Sequence, residues 1–195
     1  TDAQAAIDSL RENLPVGPDG KQPALTSRFV LILGAGGVAR AVAHGLRREG
    51  VPLVIANRTE ERGQKLAQEV GGKFVDWSAR HNVVCDTVIN CTSVGMHPKL
   101  DESPLHHSYL KPGLMVFDTI YTPETTMLIR EARARDCHVL TGVDMFVRQA
   151  GLQFRLFTGR EPPLDLMFNL VRRALSPVHY KDEGKDGQKN DQGEM

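Results

Sequence analysis

Apolar residues along this chain fall into short runs, separated by stretches in which they recur every three or four positions. Phe29-Val-Leu-Ile-Leu33 is a continuous apolar run that meets a glycine, the pattern of a strand buried on both faces. Leu53-Val-Ile-Ala-Asn57 repeats it, and shorter strands are predicted at 73–75, 87–90, 115–118 and 138–141. Helical spacing fills the gaps. One helix is predicted over 37–49 and closed by Gly50, a second from Thr59 to about residue 70 and ended by Gly71-Gly72, and a third over 125–135. Ala6, Ile7, Leu10 and Leu14 make a helical stripe over 3–14, ahead of a turn-rich connector at 15–20. Helical periodicity returns over 144–157 and 164–174. Strands alternating with helices predict an α/β fold, a doubly wound, Rossmann-like parallel sheet with flanking helices. Residues 181–195 carry almost no apolar side chain and are expected to be disordered.

The turn after the first strand carries the first candidate chemistry. Gly34-Ala35-Gly36-Gly37-Val38-Ala39 stands between a strand and a helix, the context that a dinucleotide fingerprint needs. Gly34 allows the tight turn, Gly36 lets backbone approach a pyrophosphate, and Ala39 keeps the helix close to the sheet. The helix N-terminus adds unpaired N–H groups and a positive dipole end. A glycine-rich turn without a ligand fits the same letters. The second strand ends in Asn57-Arg58-Thr59, with Arg62 one helical turn on. An NAD site usually places an acidic residue here to accept from the ribose 2′-hydroxyl. A neutral Asn followed by two guanidiniums and a hydroxyl suits a 2′-phosphate, which predicts NADP over NAD. Arg58 could also stack on adenine. Thr59 is equally placed to cap the next helix, with Arg58 and Arg62 solvated.

Composition narrows the classes. The chain has 195 residues, enough for one domain with extensions, and 41% are hydrophobic, enough for a core. A formal net charge of +0 gives no bulk electrostatic case for nucleic acid or an anionic membrane. Apolar runs of about five residues are too short to span a bilayer. No secretory signal is visible. Cys85, Cys91 and Cys137 lack CxxC spacing and read as reduced cysteines of an intracellular protein. His106 and His107 are adjacent and would diverge on regular structure, so no metal site is expected. The chain begins with Thr1, as an excised piece of a longer protein would.

Several motifs together resemble the C-terminal, NADP-binding domain of the shikimate/quinate dehydrogenase superfamily. They are Gly34-Ala-Gly-Gly-Val-Ala-Arg-Ala41, Asn57-Arg-Thr59 with Arg62, Asn90-Cys-Thr-Ser-Val-Gly-Met96, Asp118-Thr-Ile-Tyr121-Thr-Pro123, and Gly142-Val-Asp-Met145 with Gln149-Ala-Gly151 and Phe157-Thr-Gly159. They keep the family's order and cover nearly everything from 27 to 159.

The resemblance implies NADP-dependent interconversion of 3-dehydroshikimate and shikimate. It further implies a preceding substrate domain, holding a Ser-rich carboxylate pocket and a catalytic lysine. Thr1-Asp2-Ala3 looks like the end of that domain's Asn-Thr-Asp-Gly motif, with Ala3 where Gly is usual. Asp2 would then be the catalytic aspartate, although an N-cap Asp on the first helix fits as well. Tyr121 and Gln149 would reach the substrate. A Tyr packed on Pro123 and a surface Gln near a helix start are the plain structural alternatives. Thr92, Ser93, Met96, Thr119, Gly142 and Met145 match positions lining the cofactor's ribose and nicotinamide. Gly142 would let backbone approach a ring, and Met145 could face the nicotinamide or simply sit in the core. The expected organisation is 1–26 as the end of the catalytic-domain motif with a connecting helix and linker, 27–176 as the NADP-binding domain, and 177–195 as a tail. An enzyme that is cytoplasmic in a microbe, or plastidic in a plant, follows from the resemblance. A quinate dehydrogenase using NAD, or an NADPH-sensing module without catalysis, are the rival readings.

Overall fold

A computed structural model describes residues 1–17 and 20–175; the tail expected at 177–195 lies outside the described residues. Six strands form one parallel sheet: β1 (Val30–Leu33), β2 (Leu53–Asn57), β3 (Lys73–Asp76), β4 (Thr87–Asn90), β5 (Met115–Asp118) and β6 (His138–Leu140). Their order is β3-β2-β1-β4-β5-β6. The order reverses between β1 and β4, and that reversal opens a crevice at the carboxyl edge.

Helices cover both faces. α1 (Asp2–Asn13), α2 (Gly37–Arg48), α3 (Glu60–Val70) and α5 (Gly142–Thr158) contribute to one apolar layer, together with Val30, Ile32, Leu53, Ile55, Ile89, Met115 and Phe117. Leu31, Leu33, Val54, Ala56, Val88 and Val116 point the other way, against α4 (Met127–Arg133) and Leu105, Leu110 and Leu114. Successive residues of a strand face opposite sides, so a sheet covered on both faces needs continuous apolar runs. The sequence has them. α6 (Leu164–Leu175) packs along α5, where Gly151 leaves room for Leu164.

Some elements depart from expectation. α5 begins at Gly142, with Thr141 at its N-cap position, two residues ahead of the start predicted at 144. α4 is shorter than predicted because the Thr126 hydroxyl accepts from the Ile129 N–H and fixes the start. Three 3-10 turns, at Leu25–Ser27, Trp77–Asn82 and His107–Tyr109, had no periodic signal. In the last of these, the His106 and His107 rings do not diverge. Their centroids lie 4.1 Å apart, because the chain there is irregular.

Candidate functional site

The crevice between β1 and β4 is a cavity of about 550 Å³. Its floor is the β1–α2 turn, Gly34, Ala35 and Gly36. Gly34 has φ +108, and a Cβ there would lie 3.0 Å from the Cys91 carbonyl oxygen. The turn therefore requires glycine for its backbone and for its closeness to the end of β4. Gly36 differs. A Cβ there would meet no protein atom within 4 Å, so the open space in front of it belongs to the cavity. Gly37, Val38 and Ala39 form the first turn of α2, whose N–H groups lack intrahelical acceptors. Ala39 is fully buried against the core and brings α2 close to the sheet.

Asn57, Arg58, Thr59 and Arg62 form one wall. The Asn57 amide donates to the Thr59 carbonyl at 2.7 Å, tightening the turn between β2 and α3. Thr59 occupies the N-cap position of α3, but its side chain makes no capping hydrogen bond, so the hydroxyl is not used as a cap. Arg58 and Arg62 are exposed and have no ion pair or side-chain hydrogen bond among the described residues. No carboxylate stands at the end of β2.

Thr92 and Ser93 form the opposite wall, on a loop held by the buried Asn90. The Asn90 side-chain oxygen accepts from the Thr92 N–H at 3.0 Å and from its hydroxyl at 2.7 Å. The Thr92 hydroxyl in turn accepts from the Val94 N–H at 3.1 Å. Sequence reasoning missed the outer wall, made by Trp77, Arg80, Lys99, Glu102, Ser103 and Pro104. The Arg80 guanidinium lies 4.2 Å from the centre of the Trp77 ring and donates to the Pro104 carbonyl at 2.7 Å. Lys99 pairs with Glu102 at 3.1 Å. A lone Trp followed three residues on by Arg was the available signal.

The remaining predicted residues do not line this cavity. Met96 is 44% exposed. The Thr119 hydroxyl donates to the Asn90 carbonyl at 2.9 Å. Gly142 does make a close approach, but to protein. A Cβ there would fall 2.4 Å from the Ile120 carbonyl carbon and oxygen, which locks α5 onto the loop after β5. Met145 is buried in the core. Tyr121 stacks on Phe146, not on Pro123. Gln149 lies in the middle of α5, not near its start, and is partly buried. Asp2 is the first residue of α1, Thr1 takes the N-cap position, and the Thr1 hydroxyl donates to the Asp2 carboxylate at 3.2 Å.

Asp118 ends β5 and is fully buried. It accepts from the Asn90 amide at 3.1 Å, the Ile120 N–H at 3.1 Å and the Thr126 hydroxyl at 2.7 Å. Burial lifts its carboxyl from 3.8 to about 6, against the lowering effect of those donors. Burial and the Asp118 charge also push the Cys91 thiol up, so Cys91 is a neutral, weakly nucleophilic part of the wall.

A second cavity, of about 730 Å³, lies at the amino edge of the sheet, between Val83–Asp86 and Tyr109–Leu114. Its polar groups mostly satisfy one another: the Tyr109 hydroxyl bonds the Val83 carbonyl and the Cys85 thiol, and the His106 N–H donates to the His81 ring. Among the described residues, no group of His, Cys, Asp and Glu is arranged to hold a metal, and no helix is long and apolar enough to cross a membrane.

A parallel sheet in this strand order, with a glycine turn and a helix N-terminus at the reversal of its order, defines a dinucleotide-binding α/β domain of the Rossmann type. Residues 19–118 match the family model described as Shikimate / quinate 5-dehydrogenase, and 142–172 match the Shikimate 5'-dehydrogenase C-terminal domain. The chain belongs to the shikimate/quinate dehydrogenase family. It is 36% identical over 181 residues to the bifunctional 3-dehydroquinate dehydratase/shikimate dehydrogenase of Arabidopsis thaliana, covering 89% of this chain and 30% of that protein. It is 39% identical over 186 residues to the NADP(+) shikimate dehydrogenase of Moorella thermoacetica, covering 90% of this chain and 60% of that one. The structure of Thermus thermophilus shikimate 5-dehydrogenase in complex with NADP(H) and shikimate superposes with a TM-score of 0.75 at 34% identity, over 89% of this chain and 62% of that one. The chain thus spans less than two thirds of each of these relatives.

Proposed function

We propose that this chain is the cofactor-binding half of an NADP-dependent shikimate dehydrogenase, which interconverts 3-dehydroshikimate and shikimate. The observation that carries the reading is the pair Arg58 and Arg62, unpaired among the described residues, on the wall of the crevice beside Thr59. Two desolvatable guanidiniums and a hydroxyl, with no carboxylate at the end of β2, suit a ribose 2′-phosphate and leave a bare 2′-hydroxyl without its acceptor. The open space before Gly36 and the free N–H groups of α2 fit a pyrophosphate. Thr92 and Ser93 border the same space from the β4 side.

NADP(H), when bound, supplies or accepts the hydride. The chain's own residues bind and orient. The turn 34–39 holds the phosphates, the 57–62 wall selects NADP, and Met96, Thr119, Gly142 and Met145 are assigned to the shell around the ribose and nicotinamide. Gly142 and Met145 act there through packing, since the one rests on Ile120 and the other is buried. Tyr121, Gln149 and Asp2 are assigned to the substrate, with Asp2 orienting a catalytic lysine from the substrate domain that the relatives' greater length accommodates. In that organisation 1–26 links the two domains and 27–176 is the cofactor domain. Its partners are the small-molecule substrate and the substrate domain, and its place is the cytoplasm.

Calorimetric titration of this chain with NADP and with NAD tests the proposal. NADP binding at least about ten-fold tighter than NAD is expected, from roughly 1.5–3 kcal/mol per charge-assisted hydrogen bond. Equal affinity would favour an NAD-using quinate dehydrogenase. No binding of either would overturn the cofactor site.

A further inference from the structure

Two loops follow the neighbouring strands β4 and β5, and one buried side chain touches the roots of both. The loop after β4 carries Thr92 and Ser93, while the loop after β5 carries Tyr121. We propose that Asp118 is a positioning residue that couples these loops, so that the substrate-side loop and the cofactor-side loop hold their working geometry together. The inference rests on the functional reading above for what the loops bind, but not for the coupling itself.

The geometry is a fork. One carboxylate oxygen accepts from the Asn90 amide at 3.1 Å and from the Ile120 N–H at 3.1 Å. The other accepts from the Thr126 hydroxyl at 2.7 Å. The Asn90 amide also donates to the Val94 carbonyl at 3.3 Å, while the oxygen of the same group holds Thr92 through its N–H and hydroxyl. Thus Asp118 fixes the rotamer of Asn90, and Asn90 shapes the 91–94 loop. On the other side, Ile120 and Thr126 lie at the two ends of the 119–126 loop, and Thr126 also starts α4. All three of Asn90, Asp118 and Thr126 are buried, so water does not substitute for a lost member, and each unpaired group carries a desolvation cost. The titratable group facing Asp118 is the Cys91 thiol. No Lys, Arg or His pairs with the carboxylate among the described residues. Hydrogen bonding, with no ion pair, therefore links the loops.

The test uses Thr126, which does not line the cavity. Thr126→Val removes the donor to Asp118 at nearly constant shape, and Thr126→Ser keeps it. Amide hydrogen exchange and NADP titration would be run on both variants and the parent chain, with thermal melts to verify folding. The expected result for Thr126→Val is faster exchange at Thr92 and Val94, as well as at Ile120, with NADP affinity weakened at least about three-fold. Thr126→Ser is expected to restore both. If Thr126→Val loosens only 119–129, leaving Thr92, Val94 and NADP affinity unchanged, the loops are independent and the coupling is wrong. Should Thr126→Val not fold, Asn90→Asp read at Ile120 and Thr126 replaces it, with unchanged exchange there as the overturning result. A parent chain that binds no NADP would sink the functional reading alone, since exchange still decides the coupling.

Discussion

The rings of Tyr121 and Phe146 lie nearly parallel, 21° apart, with centroids separated by 4.6 Å. The stack ties the loop after β5 to α5, and both rings stay substantially exposed, at 44% and 38%. Tyr121 is therefore a presented side chain with a fixed orientation. An aromatic pair contributes about 0.5–1.5 kcal/mol beyond area burial. Under the proposed function, Phe146→Ala in a chain joined to a substrate domain is expected to raise the shikimate KM by about two- to ten-fold and leave NADP affinity unchanged. An unchanged KM in steady-state kinetics would remove Tyr121 from the substrate site.

Arg58→Ala should weaken NADP binding by about ten- to a hundred-fold, the loss of one charge-assisted hydrogen bond, with NAD binding nearly unaffected. Arg62→Ala should act in the same direction. Titration calorimetry with both nucleotides reads the selectivity. A parallel loss for NAD would assign the arginines to the pyrophosphate or adenine in place of the 2′-phosphate.

Two glycines should respond oppositely to alanine. At Gly142 the new Cβ would lie 2.4 Å from backbone atoms of Ile120, which must shift, so Gly142→Ala is expected to destabilise the fold by about 1–3 kcal/mol. At Gly36 the Cβ meets no protein atom and φ is −81, so Gly36→Ala should change stability by less than about 1 kcal/mol yet weaken NADP binding. Denaturant melts and nucleotide titration separate the two effects. Gly36→Ala binding as tightly as the parent would mean that no phosphate sits against that backbone.

The Asp118 carboxyl titrates higher in the fold than in the unfolded chain, about 6 against 3.8, because burial disfavours its charge. The folded state therefore binds the proton more tightly. This contribution to stability is complete below about pH 4 and is lost as pH rises through about 6. Asp118→Asn removes it. The variant, in which the Thr126 hydroxyl can turn to accept from the new amide, should match or exceed the parent at pH 7, by up to about 1–3 kcal/mol. Urea melts from pH 4 to 7 check the slope. A parent whose stability gains no such falling component relative to Asp118→Asn would show that the carboxyl is ionised throughout.

The strands were legible because a sheet covered on both faces demands unbroken apolar runs, and Leu53-Val-Ile-Ala is such a run. The fingerprint was legible because Gly34 serves a local backbone need that shows in the letters. Trp77, Arg80 and Lys99 were not, because their wall is assembled from a 3-10 turn and an irregular stretch without period. Nor does any sequence pattern state that the Gly142 backbone rests against Ile120, because that approach joins α5 to a loop 22 residues away.

By itself, then, the sequence determined the parallel sheet, the glycine turn and the Asn57-Arg58-Thr59 wall, since strand burial, turn conformation and residue chemistry are local properties. Only the tertiary structure decided that Asn90, Asp118 and Thr126, 36 residues from end to end, form one buried fork, and that Tyr121 leans on Phe146. Those partners meet because parallel strands bring distant segments to the same carboxyl edge, and which side chains pair there is settled by register and packing.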